Sequence, residues 1–95
     1  MSDAPQSPSP DRQLGDLRVR IDEVDTRLLE LLNERARLAL EVGEVKKLTN
    51  APVYRPEREA QVIARLRGLN AGPLGGDAIE AIQREVMSAC RELER

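Results

Sequence analysis

Histidine, tryptophan and phenylalanine are absent from this 95-residue sequence, and tyrosine and cysteine occur once each. Without histidine the chain lacks the commonest metal ligand and the commonest general base near neutral pH. A single cysteine, Cys90, excludes an internal disulfide and every multi-cysteine metal motif. Aromatics at 1% leave no platform for stacking bases, and a net charge of −2 argues against a phosphate backbone as partner. No apolar run is long enough to span a bilayer or resemble a signal peptide, so the cytoplasm is the default compartment. Nucleic acid, membrane, metal and cofactor are all unexpected. What is left is chemistry done with fixed charges.

The length allows one small domain. Hydrophobic residues at 40% and charged residues at 34% suit a packed chain, with a core built from Leu, Ile, Val and Ala. Pro5, Pro8 and Pro10 among Ser, Asp and Gln mark a disordered tail over 1–12, which leaves 13–95 as the folded domain. From Leu14 the pattern changes. Leu14, Leu17, Ile21, Val24, Leu28, Leu31, Arg35, Leu38, Val42 and Val45 recur at alternating spacings of 3 and 4, a heptad seam without proline, with Gly43 beside it as a weak breaker. Leu32 and Ala39 widen the stripe as in a bundle helix. Thr49-Asn50-Ala51-Pro52 ends it with turn chemistry.

A helix over 14–48 would be roughly 50 Å long at 1.5 Å per residue. A compact monomer of this size has a radius of gyration of roughly 12 Å. The helix overshoots its own globule, so a second copy is expected to cover the rest of the seam in a homodimer. Pro56 opens a second helix with Val62, Ile63, Leu66 and Leu69 on one stripe. After a loop over 70–76, Asp77 and Glu80 form an acidic capping box for a third helix, with Ile79, Ile82, Val86, Ala89, Cys90 and Leu93 facing inward. The expected fold class is all-α, three helices per chain, one long and two shorter, intertwined in a dimer. There is no internal repeat.

Most charged residues fit solvated faces, but Arg35 occupies a seam position where a guanidinium needs an anion or water. It reads equally as a register-fixing polar residue of a helical dimer or as part of a ligand site. Lys46, eleven residues on, emerges from nearly the same face with an axial gap of roughly 16 Å, and the two long side chains could bracket a small anion. By itself Lys46 reads as a solvated lysine at a helix C-terminus. Arg18 lies roughly 25 Å from Arg35 along one helix and cannot share its ligand within one chain. In an antiparallel dimer with its dyad near Leu32, Arg18 of one chain would face Lys46 of the other. By itself it reads as an exposed arginine covering apolar surface with its stem. Arg58 and Glu59 flank the second apolar stripe, where an internal ion pair is the plain reading, and Glu94 borders Met87 and Cys90, where a frayed terminal glutamate is.

The runs Leu17-Arg18-Val19-Arg20-Ile21-Asp22-Glu23-Val24-Asp25, Leu28-Leu29-Glu30-Leu31-Leu32-Asn33-Glu34-Arg35 and Val42-Gly43-Glu44-Val45-Lys46 resemble the all-helical class of chorismate mutases. Val53-Tyr54-Arg55-Pro56-Glu57-Arg58-Glu59-Ala60-Gln61-Val62 is similar to the mutase domain at the start of bifunctional chorismate mutase/prephenate dehydratase proteins. The likeness covers about 14–94. It implies an intertwined dimer with two sites, each built from both protomers, that turns chorismate into prephenate in phenylalanine and tyrosine biosynthesis. It implies Arg18 as the arginine donated by the partner chain and Arg35 as a carboxylate ligand. Lys46 would meet the ether oxygen of the breaking bond, Arg58 would sit near the carboxylates, and Glu59 would hold the ring hydroxyl. Lys46, Glu94 and Arg35 are the implied catalytic residues.

Three positions depart from the family pattern. Arg55 stands where an aspartate is common, Cys90 where a serine is, and Glu94 where a glutamine donates to the ether oxygen. A carboxylate cannot donate a hydrogen bond but a carboxylic acid can. Apolar neighbours and a negatively charged substrate favour the protonated form, Lys46 opposes it, and activity should fall as pH rises. Two other readings stay open: a non-catalytic dimerisation or regulatory module of a shikimate-pathway enzyme, and an isochorismate-processing lyase on the same fold. Because a helix end frays, Glu94 beside the last residue suggests a domain excised from a longer protein, in which a prephenate dehydratase domain would follow.

Overall fold

The computed structural model describes residues 9–95, which form three helices: α1 (Pro10–Thr49), α2 (Pro56–Leu69) and α3 (Gly76–Glu94), with no strand among the described residues. The all-α class and the three elements agree with the periodicity. Residues 1–8 of the expected tail lie outside the described residues. Positions 10–12 are helical instead, because Ser9 caps α1. Its hydroxyl accepts from the Arg12 N–H at 3.2 Å and its carbonyl from the Gln13 N–H at 2.9 Å, while Pro10 supplies a preset φ.

The other end of α1 follows the turn chemistry. Asn50 adopts φ 55°, the left-handed conformation that asparagine tolerates, and the Ala51 N–H reaches back to the Lys46 carbonyl at 3.2 Å. Pro56 starts α2 at its first position, and the Arg55 carbonyl accepts from the N–H groups of both Arg58 and Glu59 at 3.1 Å. The capping box expected at Asp77 does not form. Gly75 is the N-cap, without a side-chain cap, and Asp77 lies inside the helix. Arg67, from the last turn of α2, claims both acids, with a guanidinium nitrogen 2.6 Å from Asp77 Oδ1 and Nε donating to Glu80 Oε1 at 3.1 Å. Arg84 donates to the other oxygen of Glu80 at 3.0 Å. Hydrogen bonds from Arg84 and then Arg67 hold the Glu80 carboxyl below its ordinary range, while the bond to Asp77, followed by Glu80, raises the Arg67 guanidinium.

The chain divides into two units between Leu31 and Leu32. In the first, every described residue is exposed, including seam positions such as Ile21 at 58% and Leu31 at 61%. In the second, α2 and α3 pack on each other, and the buried residues are Ala39, Gly43, Ile63, Met87 and Cys90. The seam residues Leu38, Val42 and Val45 stay exposed there too, because α1 turns the flanking Ala39 and Gly43 inward. Of the six α3 residues expected inside, Cys90 is buried and Ile79 and Val86 half-buried, whereas Ile82, Ala89 and Leu93 are exposed. Met87 takes the inner place beside Cys90.

Gly43 has a packing role beyond that of a weak breaker. A Cβ there would sit 3.0 Å from both Cα and the carbonyl oxygen of Glu94. The missing side chain is what lets the end of α3 approach α1 this closely.

Candidate active site

Within the second unit, the three helices and the segment before α2 enclose an open cavity of about 600 Å³. Helical spacing sets its walls. Arg35, Ala39, Val42 and Lys46 come from successive turns of α1, Met87, Cys90, Arg91 and Glu94 from α3, and Arg58, Glu59 and Val62 from the first two turns of α2. Arg55 and Val53 close it from the connecting segment. Seven of the residues singled out from sequence therefore line one space: Arg35, Lys46, Arg55, Arg58, Glu59, Cys90 and Glu94. Arg18 does not. It is exposed on α1 in the unit that ends at Leu31.

Lys46 is held firmly. Its Nζ donates to the Val53 carbonyl at 3.2 Å and to Glu94 Oε2 at 3.1 Å, with both charged side chains largely covered, at 17% and 13% exposure. An ammonium has three N–H groups, so one is left for a ligand. Glu94 is therefore not a frayed glutamate: the ion pair and the close approach at Gly43 fix it. Glu59 does not pair with Arg58. It pairs with Arg91, whose Nε lies 2.8 Å from Glu59 Oε2. Arg35 and Arg58 make no side-chain hydrogen bond or ion pair among the described residues. Arg55 reaches Glu57 only at 3.8 Å, in an exposed pair.

Five cations and three carboxylates line the cavity, a surplus of two positive charges. Apolar Val42, Val62 and Met87 lie between them, and a low-dielectric wall strengthens every charge–charge interaction across the space. This arrangement suits a small dianion with an apolar body. No group of three or more His, Cys, Asp or Glu residues among the described residues could hold a metal. No helix there is long and apolar enough to cross a membrane.

Arg91 is the lining cation that the sequence pattern hides. It stands four residues after Met87 and three before Glu94 on the same face of α3, but a charged residue on an amphipathic helix reads as solvated. The Val53 carbonyl is a backbone group and carries no signal at all.

The family model described as "Chorismate mutase type II" matches residues 17–95. The chain belongs to the type II chorismate mutases. It is 49% identical over 88 residues to a bifunctional chorismate mutase/prephenate dehydratase of Stutzerimonas stutzeri, covering 87% of this chain and 24% of that protein. It thus spans about a quarter of the length of the curated relatives it matches first. Among solved structures it resembles form II of the chorismate mutase from Thermus thermophilus, with a TM-score of 0.85 and 34% identity over 86% of this chain and 93% of that one. The Helicobacter pylori chorismate mutase solved in complex with prephenate gives a TM-score of 0.81 at 30% identity, covering 87% and 90%. The type II mutase fold and the charged cavity thus occur in one chain.

Proposed function

We propose that this chain converts chorismate into prephenate in the cavity lined by Arg35, Lys46, Arg58, Glu59 and Glu94. The observation that carries the reading is the surplus of two positive charges, with Arg35 and Arg58 unpartnered among the described residues, around apolar walls. Chorismate is a dianion with an apolar ring, and its rearrangement breaks one C–O bond while one C–C bond forms. No nucleophile and no obligatory proton transfer is needed, which a chain without histidine satisfies. The protein has two tasks: to select the compact diaxial conformer and to stabilise negative charge growing on the ether oxygen.

In this reading Arg35 and Arg58 take the substrate carboxylates. The third N–H of Lys46 meets the ether oxygen, and Glu59 accepts from the ring hydroxyl. Glu94 stands beside that N–H, and its ion pair with Lys46 orients the ammonium toward the ether oxygen. Arg55 and Cys90 contact the substrate from the connecting segment and from α3.

Arg18 completes the site from a second copy of the chain. The exposed seam of α1 supports that homodimer, since such a continuous apolar stripe is costly in water and closes by self-association. The names of the relatives carry a further part of the proposal, a prephenate dehydratase domain in the full-length protein that takes up the product. The domain limits follow the same reading, with 10–95, from the first residue of α1, as the mutase domain.

Loss of chorismate ultraviolet absorbance on mixing with pure protein tests the activity, with product identification to separate prephenate from lyase products. Arg35→Ala should lower turnover by roughly 10²–10³-fold, as loss of one preorganised donor does. A folded dimer that leaves chorismate intact would point instead to a non-catalytic module.

A further inference from the structure

Arg91 is the one cation of the cavity wall to which neither the helical pattern nor the family likeness gives a role. Three elements meet at its guanidinium. Its central carbon lies 4.8 Å from the centre of the Tyr54 ring, in the segment before α2, and its Nε lies 2.8 Å from Glu59 Oε2, in the first turn of α2. Arg91 and Glu59 are largely covered, at 28% and 15% exposure. The Arg91 Nε is buried without an aligned hydrogen bond, so the pair is held by charge, and a small turn of the Glu59 carboxylate would satisfy the donor.

We infer that Arg91 is a positioning residue for the mutase site: stacked on Tyr54 and paired with Glu59, it fixes that carboxylate for the substrate hydroxyl and keeps it off the neighbouring arginines. The inference rests on the functional reading above. A carboxylate offers about four acceptor positions, so the Arg91 contact leaves capacity for a hydroxyl. The ring under the guanidinium fixes its plane, which a lysine ammonium could not reproduce. Arg58, adjacent to Glu59 in sequence, keeps its guanidinium unpaired among the described residues. Without Arg91, Glu59 is free to seek Arg58 or Arg35 and so to remove a cation from the substrate carboxylates.

The test uses the 95-residue chain with Arg91→Met, which keeps length and apolar bulk, and Arg91→Lys, which keeps charge alone. Arg91→Met should raise KM for chorismate roughly tenfold with kcat changed much less, because the lost interaction is shared by ground state and transition state. Arg91→Lys should recover part of that loss. In a Glu59→Gln background, Arg91→Met should add almost nothing, since the two act as one unit. Tyr54 is the one aromatic residue of the chain, so near-ultraviolet circular dichroism of the ligand-free protein reports its ring alone, and the band should weaken in Arg91→Met. An active wild type with an unchanged KM in Arg91→Met, or with the same rise in the Glu59→Gln background, overturns this inference alone. An unaltered Tyr54 band overturns the stacking half of it. A wild type that does not turn over chorismate overturns the functional reading on which it rests.

Discussion

The two parts of α1 carry the same alternating apolar spacing and end in different circumstances. Beyond Leu31, small residues flanking the seam, Ala39 and Gly43, are buried within the chain, and Arg35 and Lys46 line a cavity with Lys46 pinned between Val53 and Glu94. Up to Leu31, the seam from Leu14 to Leu31 covers nothing and every described residue is exposed. A heptad pattern therefore says that a helix has an apolar stripe but not whose surface covers it. Where the chain supplies its own cover it builds most of a site. Where it does not, the stripe stays open, and the proposed second copy would cover it and bring Arg18 to the site.

A charge in the uncovered seam should break that contrast most severely. Leu28→Glu is expected to shift the molar mass in solution from dimer to monomer and to cost roughly a hundredfold or more in turnover, since the site then loses its Arg18 donor. Light scattering and the chorismate assay on the same samples check both halves. The charged side of the comparison is sharpened by Glu94→Gln. Turnover should rise roughly tenfold, because an amide still accepts from Lys46 and can donate to the ether oxygen where a carboxylate cannot. An unchanged or lower rate in the chorismate assay would remove this position from the donor role.

Smaller effects test the packing that places the site. Gly43→Ala gains about 1 kcal/mol of helix propensity but overpacks against the Glu94 backbone at a cost of about 1–3 kcal/mol. A net loss of about 1 kcal/mol in denaturant unfolding is expected, together with reduced turnover as Glu94 is pushed from Lys46. The smallest effect belongs to the Arg67–Glu80–Arg84 cluster. Because the folded state holds the Glu80 carboxyl below its ordinary range, its contribution is complete above that range and disappears as pH falls through the lowered value. The difference in melting temperature between wild type and Glu80→Gln should therefore be full at about pH 7, begin to shrink near the ordinary carboxylate range and vanish only below the lowered value.

Local chemistry was legible where it needs only neighbours in sequence. The turn over Thr49–Pro52, Pro56 at the first position of α2 and the 3–4 spacing of α1 could all be read directly. What depends on how helices cross could not. Asp77 and Glu80 had the spacing of a cap, yet Arg67 reaches both from another helix, and that reach is a property of the α2–α3 packing. The seam of α1 was visible, but Ala39 and Gly43 beside it became the buried contacts because small residues allow the closer approach. The cavity residues Arg35, Lys46, Arg58, Glu59 and Glu94 were marked by charge beside apolar stripes and by family likeness. Arg91 carried the same helical spacing and was hidden by its charge.

The claim that two copies make each site is tested most directly by complementation. Arg18→Ala and Arg35→Ala each disable both sites of their own dimer, but a mixed dimer carries one site with both arginines and one with neither. After unfolding and refolding together at equal amounts, random pairing should restore about a quarter of wild-type turnover. Activity that stays at the level of the two variants alone, with mixed dimers shown to form, would contradict a site shared between chains.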